Sequence, residues 1–327
     1  MAANVETMFY NTVGKGGMVD TRKTPWHGLG TPVMGALNSA DALKAAGLDW
    51  NVVVGDAVLK LADGSYVETD KKITYRDSDN KPLGFVSDQY SVVQNIDAFS
   101  FTDKLIDTGE VKYETAGSLD GGKKVFLLAN LPETVILGDK VMPYLLFSNS
   151  HDGTSSVRVT ATPVRVVCQN TLNLALDKAQ RIWSFIHKGD IMTKVHEAQV
   201  TLKNMKDYME EEKKEAERLA SIKIGNDELQ KFMEYMFPAE DKANLTHRKA
   251  RNVIYLRDAF MQRYNADDLA NFKGTGWGLV NAASDFASHT KPIRTTQNHQ
   301  EKVMISFMNG NRILDATYSW LTEKKAA

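Results

Sequence analysis

Apolar positions along this chain change their rhythm near its middle. In the first half they come in short runs: Val52–Val54, Ala57–Leu61, Tyr66–Thr69, Ile73–Arg76 and Gly84–Val86. Asp63-Gly64 and Asp79-Asn80 stand between runs as turn residues, because Asp and Asn tolerate positive φ and Gly adopts it freely. Runs of this length bounded by such pairs predict antiparallel hairpins. A second block holds Lys124–Asn130, Thr134–Leu137, Met142–Ser148, Val157–Thr162 and Val164–Val167, with Asp152-Gly153 turning the chain before the last two. Its near-continuous apolarity predicts strands covered on both faces.

Helical spacing appears briefly in the first half and then takes over. Ser39 or Asp41 is placed to cap a short helix through Leu43 to Ala46, which Gly47 ends. Asn95 to Ile106 repeats at three and four residues, with Asn95 as its cap. Asn170 or Thr171 would cap a helix from Leu172, and from there the pattern reads as helix throughout. Val195, Ala198, Leu202, Met205 and Met209 form one stripe, and Gly225-Asn226 stops and restarts the chain. Further helices are predicted at Asp227–Phe237, Asp241–Tyr264, about Trp277–His289, and about Glu301–Leu321 with Gly310 inside the last. Strands gathered first and helices second predict an α+β fold, a hairpin-rich antiparallel sheet packed with helices and then a largely helical half. The expected organisation is an N-terminal arm at 1–35, an α+β core at 36–187 and a helical region at 188–327, packed on the core as one unit.

Composition narrows the function without choosing it. The chain has 327 residues, a formal net charge of -1 and 43% hydrophobic residues, so a core is affordable and no global basic field exists. Any polyanion site must be local. Cys168 is the single cysteine, which excludes an internal disulfide and paired-thiolate zinc sites. Neither a signal-peptide core nor a run of roughly 20 apolar residues is present, so the expectation is a cytoplasmic protein without membrane contact.

The chemical motifs are few. Gly14-Lys15-Gly16-Gly17 lacks the spacing of a phosphate-binding loop, and Gly274-Thr275-Gly276-Trp277-Gly278 follows a helix and reads as a break and cap. Ser148-Asn149-Ser150-His151-Asp152-Gly153 brings serine, histidine and aspartate together. Neighbours in a turn point apart, however, so it reads as a hairpin turn with His151 exposed and able to touch a phosphate. Arg248, Lys249 and Arg251, followed by Arg257 and Arg263, make the Asp241–Tyr264 helix basic, with Tyr255, Phe260 and Tyr264 as stacking or core aromatics. Arg165 alternates out of an apolar strand, four residues before Gln169-Asn170-Thr171 at a helix start. That segment either caps the helix or holds an anion through Arg165, Asn170 and Thr171. Trp26 and His27, in a Gly-flanked arm, serve as an anchor for a partner or base, or the arm plugs the sheet. No metal ligand set, catalytic residue or cofactor is expected.

Two stretches carry a resemblance. Pro25-Trp26-His27-Gly28-Leu29-Gly30 and the central pair, Ser148–Gly153 with Thr162–Leu172, resemble the phage/plasmid-like proteins that carry the domain of unknown function 932. The similarity extends to Gly276-Trp277 through His289. The resemblance implies a setting on phages, plasmids or bacterial chromosomes and brings no established activity. Together with the basic helices and the lack of a catalytic motif, it leads to an expected role in non-catalytic nucleic-acid handling, namely single-stranded DNA binding or annealing in recombination. Expected partners are single-stranded DNA, further copies of the chain, and host or phage proteins. The alternatives are a protein-interaction module that counters or modulates a host defence system, and an enzyme acting on a nucleotide or phosphoester through His151, Asp152 and Arg165.

Overall fold

The structure is a computed structural model and describes residues 29–155, 157–165, 182–184, 191–238, 247–293, 299–309 and 311–326. It is α+β, with two antiparallel sheets in the first half and a mostly helical second half. The chain divides into two compact units. One comprises 1–132, 144–161 and 182–205, and the other 133–143, 162–181 and 206–327.

The smaller sheet is a meander of β2 (Val52–Lys60), β3 (Tyr66–Arg76) and β4 (Pro82–Val86). Runs that read as separate in the sequence join here. Val52–Val54 and Ala57–Leu61 form one strand, and Tyr66–Thr69 and Ile73–Arg76 form the next. The polar gaps Gly55-Asp56 and Asp70–Lys72 fall at an irregularity in register between Asp56 and Val58, which breaks the alternation without ending the ladder.

The larger sheet runs β1 (Thr31–Pro32), β5 (Lys112–Leu119), β6 (Lys124–Asn130), β8 (Asp139–Ser150), β9 (Arg158–Arg165) and β10 (Ile182–Ser184) in spatial order, with β7 (Thr134–Ile136) paired to the start of β8. Three of these strands escaped the sequence pattern, and β1 did so because it is a two-residue strand inside the expected irregular arm. β5 carries Thr115, Gly117 and Ser118 among its buried positions, so it shows no apolar run. β10 lies where helix was expected, and its Trp183 pairs with Val159 across an antiparallel ladder. The central strands read correctly as covered on both faces, since Val125 through Ala129 and Leu145 through Phe147 are essentially inaccessible.

Helices on this first unit follow local chemistry. Asn38, rather than Ser39 or Asp41, caps α1 (Ser39–Ala45), its side-chain oxygen accepting from the Asp41 N–H at 2.8 Å. The expected helix from Asn95 to Ile106 is broken into α2 (Asn95–Phe99), a 3₁₀ turn (Ser100–Thr102) and α3 (Asp103–Ile106). Asn95 is not a cap. Gln94 takes that position, and the Asn95 side chain turns inward.

The helical elements are α4 (Ile191–Ser221), α5 (Asn226–Met236), α6 (His247–Tyr264), a 3₁₀ segment (Asp267–Phe272), α7 (Gly276–His289), α8 (His299–Asn309) and α9 (Arg312–Ala326). The predicted Glu301–Leu321 helix is therefore two. Asn311 caps the second, accepting from the Ile313 N–H at 2.9 Å, a role Asn fills better than any helix-interior one. The Gly274–Gly278 stretch is the break and cap it read as, with Thr275 Oγ1 accepting from the Gly278 N–H at 3.1 Å. α7 is buried from Gly276 to Phe286. Around it Phe232, Phe237, Phe260 and Phe286 meet ring to ring at centroid distances of 5.4–6.0 Å. Phe260 and Tyr264 are thus core, which fixes the face that α6 turns away from solvent.

Candidate nucleic-acid interface

α6 separates its cations by function. Arg257 donates to the Phe237 carbonyl from Nε at 3.1 Å and Nη2 at 2.7 Å, holding the end of α5. Arg263 reaches the buried Asp285 carboxylate on α7 through Nη1, at 3.3 and 3.4 Å. These two arginines belong to the scaffold in part or whole. His247, Lys249 and Arg251 are exposed, and the first turn contains no acid. Cations at a helix start oppose the macrodipole rather than complement it, so this end of α6 concentrates positive charge. Arg251, Tyr255, Asp258 and Gln262 recur at four, three and four residues and so share the solvent face.

That face leads into a pocket of about 440 Å³ between α6 and the end of α7, lined by Tyr255, Asp258, Gln262, Arg263, His289 and Lys291 among others. The Tyr255 hydroxyl donates to the Lys291 carbonyl at 2.6 Å and fixes the rim. Burial raises the Asp285 carboxyl above the usual carboxylate range, against the opposing pull of Arg263 and of His289, whose Nε2 lies 3.7 Å away. A smaller hollow of about 280 Å³ on the other unit, beside Trp50 and Asn95, differs in kind. Its Gln94 carboxamide is spent on the Val52 N–H and C=O at 2.8 and 2.9 Å, capping the edge of β2.

The Ser148–Gly153 segment corrects the sequence reading. His151 is fully buried, not exposed. Its Nε2 lies 2.8 Å from Asn95 Oδ1, and Asn95 Nδ2 donates to the Leu48 carbonyl at 3.0 Å, so Nε2 carries the proton. Nδ1 is buried with no hydrogen-bond partner. The ring packs edge-on against Trp50 at 5.5 Å, and the Arg76 guanidinium covers the indole at 5.4 Å while pairing with Asp79. Burial pushes the imidazole down to about 4, with the Asp152 charge opposing weakly. Asp152 faces elsewhere and accepts from Ser150 Oγ at 2.5 Å and Thr154 Oγ1 at 2.6 Å. Burial alone would raise its carboxyl, but those hydrogen bonds and Lys124 at 3.5 Å hold it below the usual range. Ser150, His151 and Asp152 are therefore turn and core, and His151 offers nothing to a phosphate. Gly84 of β4 is required by the same turn, because a Cβ there would sit 2.6 Å from Asp152 Cα.

Arg165 ends β9, and nothing is described of its side chain or that of Arg248. Trp26, His27, Asn170 and Thr171 lie outside the described residues. Among the described residues no group of His, Cys, Asp and Glu is arranged to hold a metal ion, and no helix is long and apolar enough to cross a membrane. Sequence reasoning found Arg251, Tyr255 and Arg263 on one helix. It missed Asp285, His289 and Lys291, although the spacing of four between Asp285 and His289 was a readable sign of one helix face.

Residues 82–306 match the family described as a domain of unknown function, DUF932. The chain belongs to the DUF932 family. The DUF932 match begins at β4 and extends through most of α8, so it takes in both the His151 turn and the α6–α7 pocket. β1–β3 precede it. No curated protein and no solved structure shows significant similarity to the chain.

Proposed function

We propose that this DUF932 protein binds single-stranded nucleic acid without catalysing a reaction on it, as a strand-binding or annealing protein of a phage or plasmid. The observation that supports this is the exposed start of α6, where Lys249 and Arg251 stand against the helix dipole with no acid in the first turn. A phosphate backbone neutralises such a cluster and releases counterions as it does so. Tyr255, one turn beyond Arg251 and partly exposed, offers a ring for a base. Replacing Lys249 and Arg251 together by Ala should weaken binding of a short oligothymidylate. It should also reduce the slope of log affinity against log salt by about 1.4, at roughly 0.7 per phosphate contact on a single strand. Fluorescence anisotropy across a salt series measures both, and an unchanged slope would remove α6 as the contact surface.

A second reading, a protein-interaction module, draws on the small sheet. Antiparallel pairing sets Ile73 beside Phe85 and Leu59 beside Val67 on one face, and Phe85, Leu59 and Val67 are 69%, 56% and 47% exposed. Sedimentation bears on it directly for self-association: a chain that stays monomeric up to high concentration leaves only a foreign partner for that face.

A further inference from the structure

The α6–α7 pocket holds more than a cationic surface needs. Arg263 spends only Nη1 on Asp285, at the long end of hydrogen-bond range, and its Nε and Nη2 have no partner among the described residues. The Lys291 ammonium pairs with no carboxylate among the described residues. Gln262 supplies a carboxamide, and Asp258 brings an acceptor to the same rim. A pocket for a bare anion would exclude Asp258. One for a ligand with an anionic end and a hydrogen-bond-donating end would include it.

We propose that this pocket is a nucleotide site, taking the terminal phosphorylated nucleotide of a single strand. Arg263 and Lys291 hold the phosphate, Asp258 and Gln262 meet donors and acceptors of the sugar or base, and the Tyr255 ring packs on the base. A volume of about 440 Å³ is within the range of small-molecule sites and accommodates one nucleotide. The fork of Arg263 suits a phosphate because two parallel N–H groups meet two oxygens. Arg251 lies one helical turn from Tyr255 on the same face, so a strand leaving the pocket passes along α6 toward the basic start. The strand end as ligand rests on the strand-binding reading, whereas the nucleotide pocket itself does not, because free nucleotides carry the same chemistry.

Oligothymidylates with a 5′-phosphate, a 3′-phosphate or neither, together with thymidine 5′-monophosphate and inorganic phosphate, are titrated against the full chain. One charge-assisted phosphate contact predicts about a tenfold preference for a phosphorylated end over its hydroxyl twin. Lys291→Ala should abolish that preference while the melting temperature holds. Arg263→Gln should abolish it as well, but it leaves Asp285 without its arginine and is read only if the chain still melts cooperatively. A nucleotide that binds through Lys291 while oligonucleotides do not would keep the pocket, name the free nucleotide as its ligand and defeat the strand reading. Oligonucleotides that bind through Lys249 and Arg251 with no end preference would overturn the pocket and leave the strand reading intact. Inorganic phosphate binding as tightly as the nucleotide would overturn the nucleotide assignment.

Discussion

Acidification from pH 7 to pH 4 is expected to destabilise the protein by about 3 kcal/mol through His151 alone. Folding removes His151 from water completely and leaves Nδ1, the nitrogen that would accept the second proton, without a partner. The folded imidazole is held near 4, against 6.5 for the free side chain. Above 6.5 both states are neutral and the group contributes no pH dependence. Below it the unfolded chain binds a proton that the folded chain refuses, so stability falls as pH drops through 6.5 and levels off below about 4. The charges facing the ring do not reverse this. Asp152 opposes the shift but is engaged by Ser150, Thr154 and Lys124, and Arg76 lies across Trp50 with its own partner, Asp79. Urea unfolding at half-unit pH steps measures the loss. His151→Gln should flatten the curve between 6.5 and 4 and should lower stability at neutral pH, since the Trp50 contact goes. A curve equally steep in the variant would place the acid lability in another group.

The fate of His151 shows where sequence reading stopped. Asp152-Gly153 was legible as a turn because its chemistry is local. What buries the neighbouring histidine is not local: Asn95 and Trp50 lie 56 and 101 residues earlier, and no spacing rule connects them. The same division holds elsewhere. The strands Lys124–Asn130 and Met142–Ser148 announced themselves through apolar runs, as did the Gly274–Gly278 cap through its glycines and threonine. β5 did not, because Thr115 and Ser118 are buried in a strand whose burial comes from tertiary packing. In the candidate site, α6 and its basic start were readable from one helix. The convergence of Arg263 with Asp285, His289 and Lys291 required knowing that α6 packs against α7.

Gly278→Ala is expected to destabilise the helical unit by about 2 kcal/mol, although alanine is the better helix former by about 1 kcal/mol. Gly278 lies in the first turn of α7, and its φ is not in the left-handed region, so conformation gives no reason for glycine. Space does. A Cβ at 278 would stand 2.2 Å from the Phe272 carbonyl oxygen and 2.9 Å from its carbon. Backbone cannot rotate aside as a flexible side chain can, so either the 3₁₀ segment Asp267–Phe272 or the start of α7 must move. Both are held. Gly278 N–H is already bonded to Thr275 Oγ1, whose hydroxyl donates to that same Phe272 carbonyl at 2.6 Å, and Trp277 beside it is fully buried. Overpacking costs about 1–3 kcal/mol, and a contact of 2.2 Å with a fixed backbone oxygen belongs at the upper end, which leaves about 2 kcal/mol after the propensity gain. The displacement also reaches the proposed nucleotide site, because α7 carries Asp285 and His289, and the chain just beyond it carries Lys291. Thermal melting should show a lower midpoint, and nucleotide affinity should fall with it even below the melting range. An unchanged or higher midpoint would mean that the junction yields, and that α7 is less firmly seated than its buried face requires.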